Sequence, residues 1–225
     1  MSTKSGIPDY RSGYNTVLET GPGKWESEEN KAKYTKQAVV RKGVDAWPNL
    51  GHRALSALVE HGYLKFIISQ NVDGLLKRAG VPDNRMSELH GNIFKESCVT
   101  CGNNYWRDYN IPNFGSKSHE TGRKCDCGKA QPLNDTLIYF GDKLNQKEID
   151  ISSKHVQKAD LCIVLGSSVQ VTPAASFVRH FTIHKPADSL VIVNLQRTAA
   201  HGKGGIEIHD FCDQFLMKVL DVLHI

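Results

Sequence analysis

Four cysteines arranged as two close pairs are the clearest chemical signal in this sequence. Cys98 and Cys101 are separated by two residues, and Cys125 and Cys127 by one, which is a residue fewer than usual. Two such pairs can supply the four thiolates of a tetrahedral zinc site, and a site with four protein ligands has no open position for substrate or water. We therefore predict a structural zinc ion, with four independent thiols or a redox pair as the alternative.

The segment around these cysteines needs another source of order than a hydrophobic core. Residues 95–131 are poor in apolar side chains and interrupt a sequence that otherwise alternates between apolar runs and helical patterns. We therefore expect residues 95–131 to form a small zinc-binding module, and catalysis must be sought outside it.

His90 is the candidate general base. A neutral imidazole can accept a proton near neutral pH, which is what such a role requires. The residue lies in Leu89-His90-Gly91, however, and an isolated histidine in such a sequence has a structural role more often than a catalytic one. The elements and motifs around it must decide between the two.

Four short apolar runs predict the strands that would position these groups. Continuous β-branched runs of this length are typical of parallel strands that helices cover on both faces. Helical patterns lie between the runs, one ending near Gly62 and another beginning near Phe211. The alternation predicts an α/β fold, a Rossmann-like doubly wound parallel sheet formed by residues 1–94 and 132–225. The predicted strands are residues 65–69, 136–140, 159–166 and 189–194.

Polar residues that follow each predicted strand are the candidate ligand contacts. Ligands of open parallel sheets bind outside the carboxyl ends of the strands. The alternative is a turn that merely caps a strand, for which asparagine and aspartate are also favoured. The candidates are Gln70, Asn71 and Asp73; Gly141 and Asp142; Gly166, Ser167 and Ser168; and Asn194 with Leu195.

Charge and hydropathy argue against a nucleic-acid or membrane partner. The 225 residues have 40% hydrophobic content and a net charge of +4 that is spread along the chain without a block of like charges. This pattern predicts no direct nucleic-acid binding. No apolar stretch approaches the roughly 20 residues of a membrane-spanning helix, and no signal peptide is recognisable, so we expect an intracellular protein without a membrane partner.

Several motifs together resemble the sirtuin family, in its order and spacing and over nearly the whole chain. The resemblance implies an NAD-dependent protein-lysine deacetylase or deacylase that cleaves NAD to nicotinamide and transfers the acyl group to ADP-ribose. It is greatest to the class IV nuclear branch, which implies a nuclear protein acting on histone tails or other acetylated proteins, with the cytoplasm as the alternative location. The motifs are Gly6 to Arg11, Gln70 to Leu75, Glu88 to Asn92, the paired cysteines, Phe140 to Asp142, Gly166 to Val169, and Val193 to Leu195.

The resemblance also assigns roles to individual residues. It implies that His90 is the proton acceptor, that Asn71 acts with Asp73 near nicotinamide, and that Gln70 contacts ribose. The aromatic and basic pair Tyr10 and Arg11 would shield the reactive ribose from water. The remaining implied cofactor contacts are Thr3, Trp25, Gly166, Ser167, Ser168, Asn194, Leu195, Gln196 and Cys212.

The beginning of the sequence departs from the family pattern. Sirtuins begin with an apolar strand that runs into a Gly-Ala-Gly turn, whereas this sequence begins at Met1-Ser2-Thr3. We expect that the start has been placed too far downstream, and the alternative is a naturally truncated protein. About eight additional residues also precede Trp25, which weakens its match to the family's cofactor-loop tryptophan.

Three other functions stay open at this point. Protein mono-ADP-ribosyl transfer uses the same cleavage of NAD with a different acceptor. A catalytically inert module that binds acyl-lysine or NAD metabolites would need the same pockets without the chemistry. A zinc-ribbon nucleic-acid protein is the least supported, because only Tyr105, Trp106 and Arg107 combine aromatic and basic character near the cysteines.

Overall fold

The computed structural model of the chain describes residues 1–7, 45–111, 118–128, 131–139, 141–203 and 205–225. Its helices are α1 Leu50–Glu60, α2 Leu75–Arg78, α3 Gln146–Lys158, α4 Ala174–His184 and α5 Cys212–Leu223, with 3₁₀ turns at Ser2–Ser5, Asp83–Arg85 and Ala187–Ser189. Its strands are β1 Ile67–Ser69, β2 Met86–Glu88, β3 Lys95–Cys98, β4 Asn104–Trp106, β5 Glu120–Lys124, β6 Pro132–Asp135, β7 Cys162–Leu165, β8 Leu190–Val193 and β9 Ile206–Ile208.

Parallel strands form the part of the fold that was predicted to bind a dinucleotide. Strands β7, β8 and β9 pair in that order, and β1 pairs with β2, all in parallel. Helices α3 and α4 separate the strands along the chain, so the α/β prediction is confirmed. Of the strands predicted to be buried on both faces, β8 is buried at every position, whereas β1 and β7 are partly exposed.

Helices α1 and α5 pack against each other and supply much of the core. Ala54 and Leu58 of α1 lie in one buried cluster with Leu216 and Leu220 of α5. Much of the apolar face of each helix therefore packs against the other helix, although Leu50 of α1 and Val222 of α5 are exposed. Asn49 caps α1 by accepting a 3.1 Å hydrogen bond from the backbone N–H of His52, which satisfies one of the unpaired donors of the first turn. Among the described residues, no helix has the length and apolar character needed to cross a bilayer.

The cysteine-containing segment forms an antiparallel sheet with the strand order β4-β3-β6-β5. At its centre the carboxylate of Glu96 is fully buried and accepts 2.7 Å hydrogen bonds from Arg107 Nε and Arg123 Nε. Burial by itself raises the pKa of Glu96, but hydrogen bonds led by that from Arg123 outweigh it and lower the pKa. An ionised Glu96 thus connects β3 to Arg107, which follows β4, and to Arg123 in β5.

The prediction of a strand at residues 136–140 is wrong for residues 136–139. Strand β6 ends at Asp135, and residues 136–139 have no regular structure. The backbone N–H of Leu137 donates to Asp135 Oδ1 at 2.9 Å, and that of Ile138 donates to the carbonyl oxygen of His90 at 3.1 Å. These donors are therefore taken by a side chain and by a loop rather than by a neighbouring strand.

We expect Glu96→Gln to lower the free energy of unfolding by about 2 kcal/mol at neutral pH in urea denaturation, since both arginines lose their counter-charge. This is below the roughly 3–5 kcal/mol of a fully buried pair because the guanidinium groups remain partly exposed. The folded-state pKa of Glu96 lies below its ordinary 4.5, so the contribution is complete above that pH and is lost as pH falls through the lowered value.

The difference between wild type and Glu96→Gln should therefore shrink in acid. The matched control is Glu120→Gln, which changes an exposed residue of β5 and should cost less than about 0.5 kcal/mol. Equal losses in the two variants would contradict the proposed role of Glu96.

Candidate active site at the strand ends

The carboxyl ends of β1, β7 and β8 bring three predicted ligand residues into contact. Ser167 Oγ donates a 3.3 Å hydrogen bond to Gln70 Oε1, and Asn194 Nδ2 donates a 3.0 Å hydrogen bond to the carbonyl oxygen of Ser167. Gln70 follows β1, whereas Ser167 and Asn194 follow β7 and β8. The bond between Ser167 and Gln70 connects the two parallel ladders, and the bond between Asn194 and Ser167 joins two strand ends of one ladder. Both lie at the edge where sheets of this kind bind ligands.

Gly166 allows the turn after β7 to pass close to α5. Its backbone is left-handed, with φ +61°, and its N–H donates to the carbonyl oxygen of Val193 at 2.9 Å. A Cβ at this position would lie 3.0 Å from the backbone nitrogen of Met1, which is tight, and 3.4 Å from Cys212 Sγ, which is an ordinary contact. Burial raises the pKa of the Cys212 thiol, so the side chain beside the glycine turn is uncharged at neutral pH.

The other predicted residues of these turns are half-buried and tied to the backbone. The carbonyl oxygen of Ser168 accepts the N–H of Ala199 at 3.0 Å, and Asn194 Oδ1 accepts the N–H of Gln196 at 3.4 Å. Leu195 lies between these last two residues, half-buried. The loops after β7 and β8 are thus held against each other, which gives a bound molecule a defined surface.

Ser2 is hydrogen-bonded to Asn71 and Asp73, two of the three polar candidates that follow β1. Its Oγ donates to Asp73 Oδ2 at 2.6 Å and accepts from Asn71 Nδ2 at 3.0 Å. Asp73 is buried and also accepts the N–H of Leu75 at 2.9 Å, at the start of α2, whereas Asn71 is exposed. The carboxylate therefore orients the loop, and the exposed asparagine is the group that a ligand can reach.

Ser2 was missed by the sequence analysis, which chose Thr3 from the same segment. Thr3 is half-buried in the Ser2–Ser5 turn, where its carbonyl oxygen accepts the N–H of Gly6 at 3.0 Å. The signal that could have found Ser2 was its position next to Thr3, but a serine beside a threonine gives no indication of which hydroxyl points inward.

His52 is a second residue that the sequence analysis missed. Its ring is buried, with Nδ1 2.7 Å from Asn49 Oδ1 and Nε2 3.5 Å from Ser2 Oγ. Burial lowers the pKa of His52, and the nearby Asp73 carboxylate acts in the opposite direction. A neutral imidazole behind Ser2 helps to fix the hydroxyl that orients Asn71.

The turn that carries His90 lies beside the loop that carries Asn71. Two backbone hydrogen bonds hold the turn in place on either side of His90. The N–H of Leu89 donates to the carbonyl oxygen of Ser69 at 3.0 Å, and the N–H of Ile93 donates to the carbonyl oxygen of Val72 at 2.9 Å. The tertiary structure therefore brings the two predicted catalytic residues onto adjacent segments.

A buried polar network of Glu88, Asn92 and Lys95 packs against the turn that carries His90. The Glu88 carboxylate accepts hydrogen bonds from Asn92 Nδ2 at 2.5 Å and from Lys95 Nζ at 2.6 Å. Asn92 is fully buried, and its Oδ1 accepts the N–H of Phe94 at 2.9 Å. Since every partner is satisfied, the network can hold His90 in one position.

Burial lowers the pKa of His90 below its ordinary value of 6.5. The side chain is only half-buried, so part of the ring stays accessible. A histidine in this environment is neutral at physiological pH and can accept a proton from a bound hydroxyl group.

The four predicted metal ligands lie together. The sulfur atoms of Cys98, Cys101, Cys125 and Cys127 are all within 4.8 Å of one another. Sulfur atoms around a tetrahedral zinc ion are separated by about 3.8 Å, given Zn–S bonds of about 2.3 Å, so the donor set fits such an ion. Glycines with left-handed backbones, Gly102 and Gly128, follow the two pairs and allow the tight turns around the sulfur atoms.

Three predicted cofactor residues, Tyr10, Arg11 and Trp25, lie outside the described residues.

Comparisons with known proteins identify the family of this chain. Residues 1–173 match the model of the Sir2 family. The chain is 40% identical over 226 residues to the NAD-dependent protein deacetylase SRT1 of Arabidopsis thaliana, with 100% of this chain and 45% of SRT1 covered. It is 32% identical over 233 residues to Sirt6 of Drosophila melanogaster, with 99% and 68% covered. The chain thus spans less than half the length of the SRT1 proteins that it matches.

Solved structures give the same result for the fold. A Sir2 structure with a p53 peptide and NAD+ superposes with a TM-score of 0.66 at 28% identity, covering 99% of this chain and 89% of that one. A Sir2 structure with a propionylated peptide gives a TM-score of 0.65 at 27% identity, with 99% and 89% covered. The strand-end polar residues, the histidine turn and the paired cysteines therefore occur in a chain that belongs to the Sir2 family.

Proposed function

We propose that this chain is an NAD-dependent protein-lysine deacylase. The observation that carries the proposal is the convergence of Gln70, Ser167 and Asn194 at one sheet edge, with Asn71 and the His90 turn on adjacent segments. The relatives named NAD-dependent protein deacetylases and the solved Sir2 structures with NAD+ or acylated peptides support it. Protein mono-ADP-ribosyl transfer uses the same site, and the first experiment below distinguishes the two.

When bound, NAD supplies a nicotinamide leaving group and the ribose carbon that receives the acyl-lysine oxygen. The chain's own polar residues bind and orient its parts. The side chains of Gln70 and Ser167 offer hydrogen-bond partners to sugar hydroxyl groups, and the exposed amide of Asn71 offers a donor and an acceptor to the nicotinamide carboxamide. Gly166 and Cys212 leave room for the adenine end, and Asn194, Leu195, Gln196 and Ser168 line the same edge.

His90 acts as the general base in this proposal. Bound NAD would present a ribose hydroxyl group that has to lose a proton for acyl transfer to be completed. A half-buried imidazole with a lowered pKa is neutral and accepts that proton on a ring nitrogen. Asp73, held by Ser2, orients the loop that carries Asn71, so its contribution is positional.

The four cysteines hold a structural zinc ion in this proposal. All four ligands come from the chain, so the ion has no open position for a reacting group. We also propose the division into a zinc-binding module that begins at residue 95 and an NAD-binding domain on either side of it. The module extends past the expected boundary at residue 131 to Asp135, because β6 pairs with β3 and β5. The similarity to Sirt6 and sirtuin-7 supports acetylated proteins as substrates, with histone tails and a nuclear location as the finer hypothesis.

The first test is nicotinamide release from NAD in the presence of an acetyl-lysine histone peptide. We expect the purified chain to release nicotinamide and to form deacetylated peptide in equal amounts, as followed by mass spectrometry. NAD labelled in its adenine ring separates the alternatives, since label that stays on protein without loss of acetyl groups indicates ADP-ribosyl transfer. Binding of NAD or peptide without turnover would contradict deacetylation by this chain and favour the inert binding module.

Replacement of the proposed base should abolish acyl removal without unfolding the chain. We expect His90→Ala to lower kcat for deacylation roughly 100-fold or more, the usual contribution of a general base. His61→Ala is the matched control, because His61 is an exposed histidine beyond the end of α1. Equal rates in wild type and His90→Ala would contradict the proposal.

The lowered pKa of His90 also predicts the pH dependence. A general base works in its neutral form, so kcat/KM for the acyl peptide should stay constant near neutral pH and fall only as pH drops through a pKa below 6.5. The measurement is a pH profile between about pH 5 and 8. An acid limb centred above pH 6.5 would show that another group controls the proton transfer.

Removal of the metal should disorder the module. We expect one zinc ion per chain by metal analysis, and loss of that ion with a lowered Tm in Cys98→Ser and Cys125→Ser. Cys162→Ala is the control, since Cys162 lies in β7 outside the cluster. Unchanged zinc content in the two serine variants would rule out the four-cysteine site.

A further inference from the structure

His119 lies between two carboxylates at the edge of the zinc-binding module. Its Nδ1 is 3.3 Å from Asp135 Oδ1, and its Nε2 is 3.3 Å from Asp142 Oδ2. The Asp135 side chain is almost fully buried, and those of His119 and Asp142 are about three-quarters buried. One rigid ring thus bridges the end of β6 and the turn that follows it.

The same two carboxylates also hold the backbone between them. Asp135 Oδ1 accepts the N–H of Leu137 at 2.9 Å, and Asp142 Oδ2 accepts the N–H of Tyr139 at 2.6 Å. The Tyr139 ring lies 5.4 Å from that of His119. Residues 136–139, called here the bridging segment, are therefore attached at both ends to groups that contact one imidazole.

The backbone of His119 is fixed in an uncommon conformation. Its φ is +51°, in the left-handed region that few residues other than glycine adopt. Its carbonyl oxygen accepts the N–H of Asp135 at 2.8 Å. Such a conformation persists only where the surrounding contacts enforce it, and here they aim the ring between the two carboxylates.

The bridging segment lies directly against the turn of the proposed base. The N–H of Ile138 donates to the carbonyl oxygen of His90 at 3.1 Å, and Asn92 N–H donates to Thr136 Oγ1 at 3.0 Å. A Cβ on Gly91 would lie 1.7 Å from the carbonyl oxygen of Thr136. The two segments are in such close contact that a displacement of one must displace the other.

We propose that His119 is a positioning residue for His90, acting through the bridging segment. It connects the zinc-binding module to the catalytic turn without touching substrate or cofactor itself. The inference rests on the proposed deacylase function, because it assigns His119 to the proton-transfer step. Loss of the ring releases Asp135 and Asp142 from each other and lets the bridging segment and the His90 turn move. Misplacement of a catalytic group by about 1 Å can cost up to about 100-fold in rate.

The test compares His119→Ala and His119→Gln with His184→Ala, an exposed histidine of α4. We expect His119→Ala to lower kcat for deacylation about tenfold or more, with KM for NAD unchanged. Nicotinamide exchange precedes the proton removal assigned to His90, so it should stay at the wild-type rate, as should zinc content. His119→Gln, whose amide nitrogen can take the place of Nε2 beside Asp142, should recover part of the rate.

Hydrogen exchange tests the same contact without any activity. We expect faster amide exchange at Ile138 in His119→Ala than in wild type, and no change in His184→Ala. Unchanged exchange at Ile138, or equal losses of deacylation and nicotinamide exchange in His119→Ala, would overturn the inference. An inactive wild-type chain would overturn the proposed function instead, while the amide exchange of Ile138 would still decide whether His119 holds the bridging segment.

Discussion

The close contact between Gly91 and Thr136 is the constraint on which the rest of the site depends. A Cβ at residue 91 would lie 1.7 Å from the Thr136 carbonyl oxygen, so only glycine fits, and its φ of +76° is one that other residues rarely adopt. Through this contact the chain returns from the cysteine-containing sheet directly onto the His90 turn. The proposed zinc-binding module and catalytic turn are therefore parts of one packed unit rather than neighbours joined by a linker.

Buried polar groups, rather than apolar packing alone, specify this region. Glu88, Asn92 and Lys95 form one network below the His90 turn, and Glu96 joins two arginines within the cysteine-containing sheet. Unpaired groups of this kind are costly when buried, so each partner restricts where the others can lie. The short strands of this sheet bury few apolar side chains, and hydrogen-bonded charges together with four cysteine ligands can supply the order that a small core cannot.

The strand-end site depends on a different kind of contact. Ser167 connects β7 to Gln70 after β1, and Ser2 connects Asn71 to Asp73. Hydroxyl groups suit this role because each can donate and accept at once. The exposed amide of Asn71 and the half-buried ring of His90 lie on adjacent segments, next to these oriented groups.

Local patterns in the sequence were enough to predict much of this protein. Apolar runs and amphipathic periodicity predicted the α/β fold, α1 and α5, and the strands at β1, β7 and β8, because burial imposes those patterns on each element by itself. Cysteine spacing predicted that the four thiols lie together, since close pairs in the sequence keep each pair close in space. The motifs of the resemblance pointed to the sirtuin family and to His90.

Long-range contacts were decided only by the tertiary structure. The run at residues 136–140 has the composition of a strand, yet residues 136–139 are irregular because their backbone donors pair with Asp135 and His90. Ser2, His52 and His119 act through partners 16 to 71 residues away in the sequence. No local pattern records such a pairing, because the energy of a side-chain contact depends on where folding brings the partner.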